Sequence, residues 1–128
     1  GAGAVPVAAA LFHKLPIEGK KVVCVISGGN IDVNILSRVI TRGLVMSGRK
    51  ANLTIALEDK PGQLQRVAEI VSRCGSNVVS VLHDGSDPNM PISSCFLKLT
   101  LETRDNAQIE QIRQELTKAG FQLVAERV

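Results

Sequence analysis

Two turns in this sequence carry residues able to do chemistry. The first is Asp59-Lys60-Pro61-Gly62-Gln63-Leu64. Before it, in residues 53–57, Leu53, Ile55 and Leu57 alternate with Thr54 and Ala56, the spacing of a half-buried strand. After it, in residues 64–74, Leu64, Val67, Ala68 and Val71 fall at i, i+3, i+4 and i+7, the stripe of an amphipathic helix. Pro61 is expected at the first helical position, where a missing N–H does no harm, with Lys60 the last extended residue. Gly75 is expected to end the helix. A strand that runs into a helix aims unpaired backbone N–H groups beyond the turn, an arrangement suited to a carboxylate or phosphate. Here the amides of Gly62, Gln63 and Leu64 would hold a carboxylate, and Asp59 would take an ammonium group. An early helical glycine costs stability unless something must come close, which makes Gly62 the telling residue. On spacing alone, a plain helix start joining two core elements accounts for the turn equally well.

The second turn, Ser27-Gly28-Gly29-Asn30, follows the unbroken apolar run Val22-Val23-Cys24-Val25-Ile26. Such a run predicts a strand covered on both faces, and a glycine turn after it is where open α/β sheets place ligands. The turn has neither a dinucleotide fingerprint nor the lysine of a phosphate loop, so a tight turn capped by Asn30 explains it as well. His13 and His83 have no carboxylate or cysteine at ligand spacing and read as surface residues. Cys24, Cys74 and Cys95 sit in apolar contexts, are spaced for no metal, and read as small core residues of a reducing compartment. No metal site and no nucleophilic triad can be picked out.

These turns need elements to hold them. A helix is expected to start near Pro6, with Val7, Ala8, Leu11, Phe12 and Leu15 on its apolar side, followed by a turn at 16–19 and the strand 22–26. A second helix is expected over about 31–42, carrying Ile35, Leu36, Val39 and Ile40. Helix, buried strand, glycine turn and helix form a remnant of an α/β domain whose remaining sheet is missing. The strand 22–26 is therefore expected to pair with a second copy or to fold back on residues 49–128. Residues 43–50 read as a junction. Beyond it come strands at 53–57, 77–82, 94–101 and 121–125, the helix 64–74, and a second helix opened by a capping box, Asp105 and Gln108. The mixed-sign charge run over 102–115 reads as a solvated helix face. The order βαββαβ is that of a ferredoxin-like α+β sandwich, so the domains divide as 1–48 and 49–128. Right-handed crossovers put the first and third strands in the middle. The edge at 77–82 is apolar and uncharged, which invites pairing with another copy.

Composition removes several functions. Aromatic residues are 2%, with no Trp or Tyr, so there is no stacking platform for single-stranded nucleic acid. The net charge of +3 comes from scattered Lys and Arg rather than one basic face, which argues against a nucleic-acid partner. The apolar run 5–12 is far short of the roughly 20 residues of a membrane span, and no basic segment precedes it. A cytoplasmic location is expected, with no membrane partner. The start at Gly1, without Met, is expected of an excised piece of a longer protein.

Gly1-Ala2-Gly3-Ala4-Val5 together with Val25-Ile26-Ser27-Gly28-Gly29-Asn30-Ile31-Asp32 resembles the C-terminal end of the catalytic domain of threonine dehydratases (threonine ammonia-lyases). These are pyridoxal-phosphate enzymes of the tryptophan-synthase-β fold type. Residues 50–128 resemble an ACT domain, an amino-acid-sensing module, and the 59–64 turn is its most recognisable part. The resemblance implies that Ser27 faces the pyridine nitrogen of the cofactor, while Gly28 and Gly29 let the backbone approach the ring. A neutral hydroxyl there moderates the electron sink, which suits β-elimination better than transamination. It also implies that Asp59, Gly62, Gln63 and Leu64 contact an effector such as isoleucine or valine. Asn77 and Val78 would be contributed by the neighbouring subunit of a homodimer joined through the edge strand 77–82. The parent enzyme would convert threonine to 2-oxobutanoate and ammonia, with serine to pyruvate as a second reaction. The family's Schiff-base lysine and glycine-rich phosphate loop are absent here, and Lys14, Lys20 and Lys21 flank a turn and are poor substitutes. The chain is thus expected to hold no catalytic residue and no bound cofactor. The rival readings are a stand-alone ligand-binding or dimerisation module, and the same part of a serine dehydratase or racemase. The purified chain is expected to show no pyridoxal-phosphate absorbance and to release no 2-oxobutanoate from threonine; turnover in that assay overturns the reading.

Overall fold

Alternation of apolar and polar residues, broken at Ala56 and Phe96, makes strands of 50–58 and 94–102, and the sheet they form fixes the rest. The computed structural model describes residues 1–85, 91 and 93–124. Its elements are a 3₁₀ turn at Ala2–Ala4, α1 (Val5–Leu11), α2 (Val33–Met46), β1 (Lys50–Glu58), α3 (Gln63–Arg73), β2 (Asn77–Asp84), β3 (Ser94–Glu102), α4 (Asn106–Lys118) and β4 (Gln122–Val124). The chain divides into two compact units, Gly1–Val39 and Ile40–Val128.

In the second unit the sheet order is β2-β3-β1-β4, with the first and third strands in the centre as expected. All strand pairs are antiparallel. The register opposes Ala51 to Leu101, Leu53 to Leu99, Ile55 to Leu97 and Leu57 to Cys95, and all eight are buried. Against them pack Val67, Ile70 and Val71 of α3, Ile112 and Leu116 of α4, and Phe121. This is the ferredoxin-like α+β sandwich. The expected stripe on α3 is displaced. Leu64 is 48% exposed, and the buried line is Val67, Ile70 and Val71, with Cys74 packed beside it. That line has the same helical spacing but buries the larger Ile70 in place of Ala68. The last strand ends at Val124; Ala125, assigned to it from sequence, lies outside the described residues.

The helices are stopped by one device. After α3, the Gly75 N–H donates to the Ser72 carbonyl at 2.9 Å and the Ser76 N–H to that of Val71 at 3.3 Å, a Schellman closure. The same pair of bonds closes α2 at Gly48 and Arg49, and α4 at Gly120 and Phe121. At Gly48 the requirement is double. Its φ is +69°, and a Cβ there would lie 2.5 Å from the backbone nitrogen of Asn106. The same turn is held by Thr103, whose hydroxyl donates to the Gly48 carbonyl at 2.7 Å. α4 starts as the sequence suggests, with the Gln108 N–H donating to Asp105 Oδ1 at 2.8 Å. The reciprocal bond differs: Gln108 Oε1 accepts from the Arg104 N–H at 2.7 Å, and its Nε2 donates to the Cys74 carbonyl at 2.8 Å. Buried Gln108 thereby ties the start of α4 to the end of α3.

In the first unit the sequence expectations fail at several points. α1 starts at Val5, with Pro6 in its first turn, and ends at Leu11; its left-handed closing residue is His13, at φ +52°. α2 runs Val33–Met46 instead of 31–42. Its cap is Asp32 rather than Asn30, since Asp32 Oδ1 accepts from the N–H groups of Asn34 at 2.8 Å and Ile35 at 3.2 Å. The run 22–26 is not a strand. It pairs with no strand among the described residues, and Val23 is 89% exposed. A buried parallel strand exists only through ladder partners on its flanks, and none of the described segments supplies one. Cys24 is only half-buried for the same reason, against the core position expected of it.

Glycine-to-alanine substitutions at two left-handed positions should separate strain from crowding. Gly62 has φ +88° but nothing within 4 Å of a Cβ, so Gly62→Ala is expected to cost about 1–2 kcal/mol. Gly48→Ala adds the clash with Asn106 and is expected to cost about 2–4 kcal/mol. Urea midpoints of the two variants, at unchanged slope, provide the check.

Candidate functional site

The 59–64 turn begins where the β1 ladder ends. The Asp59 N–H donates to the Ser93 carbonyl at 2.8 Å, and the Lys60 N–H to that of Glu58 at 2.8 Å. The Lys60 ammonium pairs with the Glu58 carboxylate, and their hydrogen bond lowers the carboxyl pKa. Pro61 does not open the helix. It precedes the N-cap, Gly62, and α3 begins at Gln63. A proline at that place extends the residue before it and leaves the left-handed turn to the glycine. The positive φ alone demands glycine at 62, and the space beside its α-carbon is open, so no close-approaching ligand is needed to explain it.

The Gln63 N–H makes only a long contact to the Lys60 carbonyl, at 3.5 Å. Those of Gly62 and Leu64 find no acceptor among the described residues. Gly62 and Leu64 are exposed and Gln63 is half-buried. Unpaired N–H groups at a helix start, open to solvent, can receive a carboxylate. α3 is firmly seated behind them: the Arg66 guanidinium stacks over the Phe121 ring at 5.2 Å and donates to the Ala119 carbonyl at 3.4 Å.

Asn77 and Val78 lie elsewhere. Val78 opposes Leu101 and Asn77 opposes Glu102, whose carboxylate also accepts from Asn77 Nδ2 at 3.2 Å. The Asp59 turn adjoins the other end of the sheet, beyond the Leu57–Cys95 pair. Six residue steps along β3 lead from Cys95 to Leu101, roughly 20 Å of strand. One copy of the chain therefore does not bring Asn77 and Val78 to Asp59, Gly62, Gln63 and Leu64.

Ser27, Gly28 and Gly29 are exposed on an irregular stretch. Gly3 packs close against them, since a Cβ there would meet the Gly28 carbonyl oxygen at 2.6 Å. With no strand to set the serine and no buried polar group beside it, these residues do not by themselves build a pyridoxal-phosphate site.

Three residues are brought together that the sequence did not group. His83 is exposed, as expected, but has neighbours that its sequence spacing did not show. It belongs to β2, its Nε2 lies 3.7 Å from Asp59 Oδ1, and both stand beside the Cys95 thiol. Cys95 is buried, and burial first and the Asp59 charge second raise its pKa, so the thiol is held protonated. Asp59 and Cys95 follow from the alternation of β1 and β3. His83 does not, because Val78 and His83 are five residues apart, which plain alternation places on opposite faces. A bulge between Val78 and Ser80 shifts the parity, so Val78, Val81 and His83 oppose Leu101, Leu99 and Leu97 on the covered face.

No protein-family model matches the chain. The L-threonine ammonia-lyase of Thermotoga maritima is 47% identical over 123 residues, covering 96% of this chain and 30% of that protein. That of Geobacter sulfurreducens is 40% identical over 121 residues, covering 94% and 30%. A biosynthetic L-threonine dehydratase of Lactococcus lactis is 42% identical over 64 residues, half of this chain. The chain thus spans about 30% of the length of the first two relatives. Among solved structures, the ACT domain of the GTP pyrophosphokinase of Chlorobium tepidum aligns over 59% of this chain and 96% of that one, at 15% identity and a TM-score of 0.45. Prephenate dehydratase of Streptococcus mutans aligns over 59% and 40%, at 15% identity and a TM-score of 0.46.

Proposed function

For a chain homologous over nearly its whole length to the C-terminal part of L-threonine ammonia-lyases, we propose a regulatory role: the second unit is an ACT-like domain that pairs with its own copy and senses a free amino acid. The first unit is, on this reading, the end of the catalytic domain. The parent protein deaminates threonine to 2-oxobutanoate and ammonia, with serine, giving pyruvate, as an alternative substrate. Its pyridoxal phosphate and Schiff-base lysine are supplied by sequence outside these residues, with Ser27, Gly28 and Gly29 brought to the cofactor there.

The observation that carries the sensing role is the division of the expected effector residues between the two ends of one sheet. Antiparallel pairing of two β2 edges about a two-fold axis sets the start of each β2 beside the end of the other. The partner's copies of Asn77 and Val78 then approach Asp59, Gly62, Gln63 and Leu64. The edge is suited to it: β2 is outermost, and Val79 and Leu82 are 51% and 57% exposed. In that pocket the Gly62 to Leu64 amides hold the effector carboxylate, Asp59 holds its ammonium group, and apolar edge residues meet an aliphatic side chain such as that of isoleucine or valine. Coupling of this kind is typically worth about 1–3 kcal/mol between sites.

Calorimetry of the 128-residue chain against each of the twenty amino acids is expected to show binding of an aliphatic one, with sedimentation reporting a dimer. Leu82→Lys is expected to weaken dimerisation at least about tenfold and to weaken effector binding with it. Silence from all twenty amino acids, or tight binding by a monomer, sinks the sensing role.

A further inference from the structure

We propose that Asp59, His83 and Cys95 form a binding site for a divalent transition-metal cation, Zn²⁺ being the ion best matched to its donors. The three ligand atoms, a carboxylate oxygen, an imidazole nitrogen and a sulfur, all lie within 4.8 Å of one another. Oxygen, nitrogen and sulfur donors in one site are the mixture that zinc and cobalt accept and that magnesium and calcium do not. Four-coordinate zinc, with bonds of about 2.0–2.3 Å, holds its donor atoms roughly 3.3–3.8 Å apart. The Asp59–His83 separation of 3.7 Å already lies in that range. The remaining contraction is about an ångström, within the reach of χ rotations of the two exposed side chains, while Cys95 stays fixed at the floor.

The placement is built into the sheet. Cys95 opposes Leu57, Leu97 opposes His83, and Asp59 lies two residues beyond Leu57, so all three sit on the covered face at one end of three adjacent strands. Cys95 and His83 are diagonal cross-strand neighbours, a spacing that an imidazole can bridge. Strand-borne donors of this sort are preset by the ladder. Binding displaces the thiol proton to solvent and leaves a thiolate, a carboxylate and a neutral imidazole on the ion, with a fourth position open to water. A plain ion pair beside a buried thiol is the competing account, and it predicts no metal affinity.

The site does not depend on the sensing role, and its test contains no amino acid. Co²⁺ is titrated as the probe into the reduced 128-residue chain. One equivalent should bind, with a thiolate-to-cobalt charge-transfer band in the near ultraviolet and the intense visible bands of a four-coordinate ion, all bleached by one equivalent of Zn²⁺. The Cys24→Ser/Cys74→Ser double variant should keep the charge-transfer band, and Cys95→Ser should lose it. His83→Ala and Asp59→Asn, at exposed positions, should each weaken Co²⁺ binding more than about a hundredfold with unchanged circular dichroism. Absence of the charge-transfer band in excess Co²⁺, or its survival in Cys95→Ser, overturns the site. Should Cys95→Ser fail to fold, His83→Ala decides, and undiminished Co²⁺ affinity in that variant overturns the site equally.

Discussion

The pairing of β1 with β3 is the constraint on which the second unit depends. Nine residue pairs, from Lys50–Glu102 to Glu58–Ser94, run without a bulge, and each apolar residue of one strand faces an apolar residue of the other on the covered side. A slip of one residue would turn that whole set toward the opposite face and leave α3 and α4 nothing to cover. The ladder does more than make a core. Its Glu58 end fixes Asp59 through the Ser93 carbonyl, and its Lys50 end is clamped by Thr103 to the turn that closes α2. The helix start at Gly62 inherits its position from a strand that cannot shift.

How far the sequence revealed this depends on the range over which each signal acts. Alternation in β1 and β3 is written in each strand alone, and so the central strands and their covered faces could be read directly. The glycine closure at Gly75 was equally local. The bulge in β2 was not legible, because nothing in Val78-Val79-Ser80 distinguishes an inserted residue from a paired one until β3 is set beside it. That single unseen residue hid His83 from Asp59 and Cys95. At the start of α3 the sequence offered proline and glycine in succession, and the weight given to proline as a first helical residue misplaced the cap. Only the left-handed φ of Gly62 decides between them.

The run 22–26 failed for a different reason. Its composition does state a preference for burial, but a strand is a property of a ladder rather than of a segment. In the described residues of the first unit Gly3 is the one buried residue, and apolar side chains such as Leu11, Phe12 and Val25 stand in solvent. The contrast with the second unit, which covers both flanks of its central strands and packs two helices on one face, matches a chain that spans about 30% of its relatives' length. It also explains why the Ser27 turn carries less weight than the Asp59 turn. The former has no strand to hold it, whereas the latter follows directly on the end of a packed central strand.

The two proposals meet at Asp59, and charge decides how they combine. Alone, the carboxylate is one negative charge beside open helix-start amides, so it suits the ammonium of a zwitterion whose carboxylate takes the amides. With a divalent ion in place, the carboxylate and the Cys95 thiolate together balance the two positive charges, and the site is neutral. Asp59 then has no field left for an ammonium group, while the ion's open position favours a second carboxylate oxygen or a water. An ion would therefore not simply add to amino-acid binding there. It would shift the preference of the turn from zwitterions that need a negative partner toward ligands that present a carboxylate alone. The same three strand ends would then set both whether a ligand binds and which of its charges is recognised.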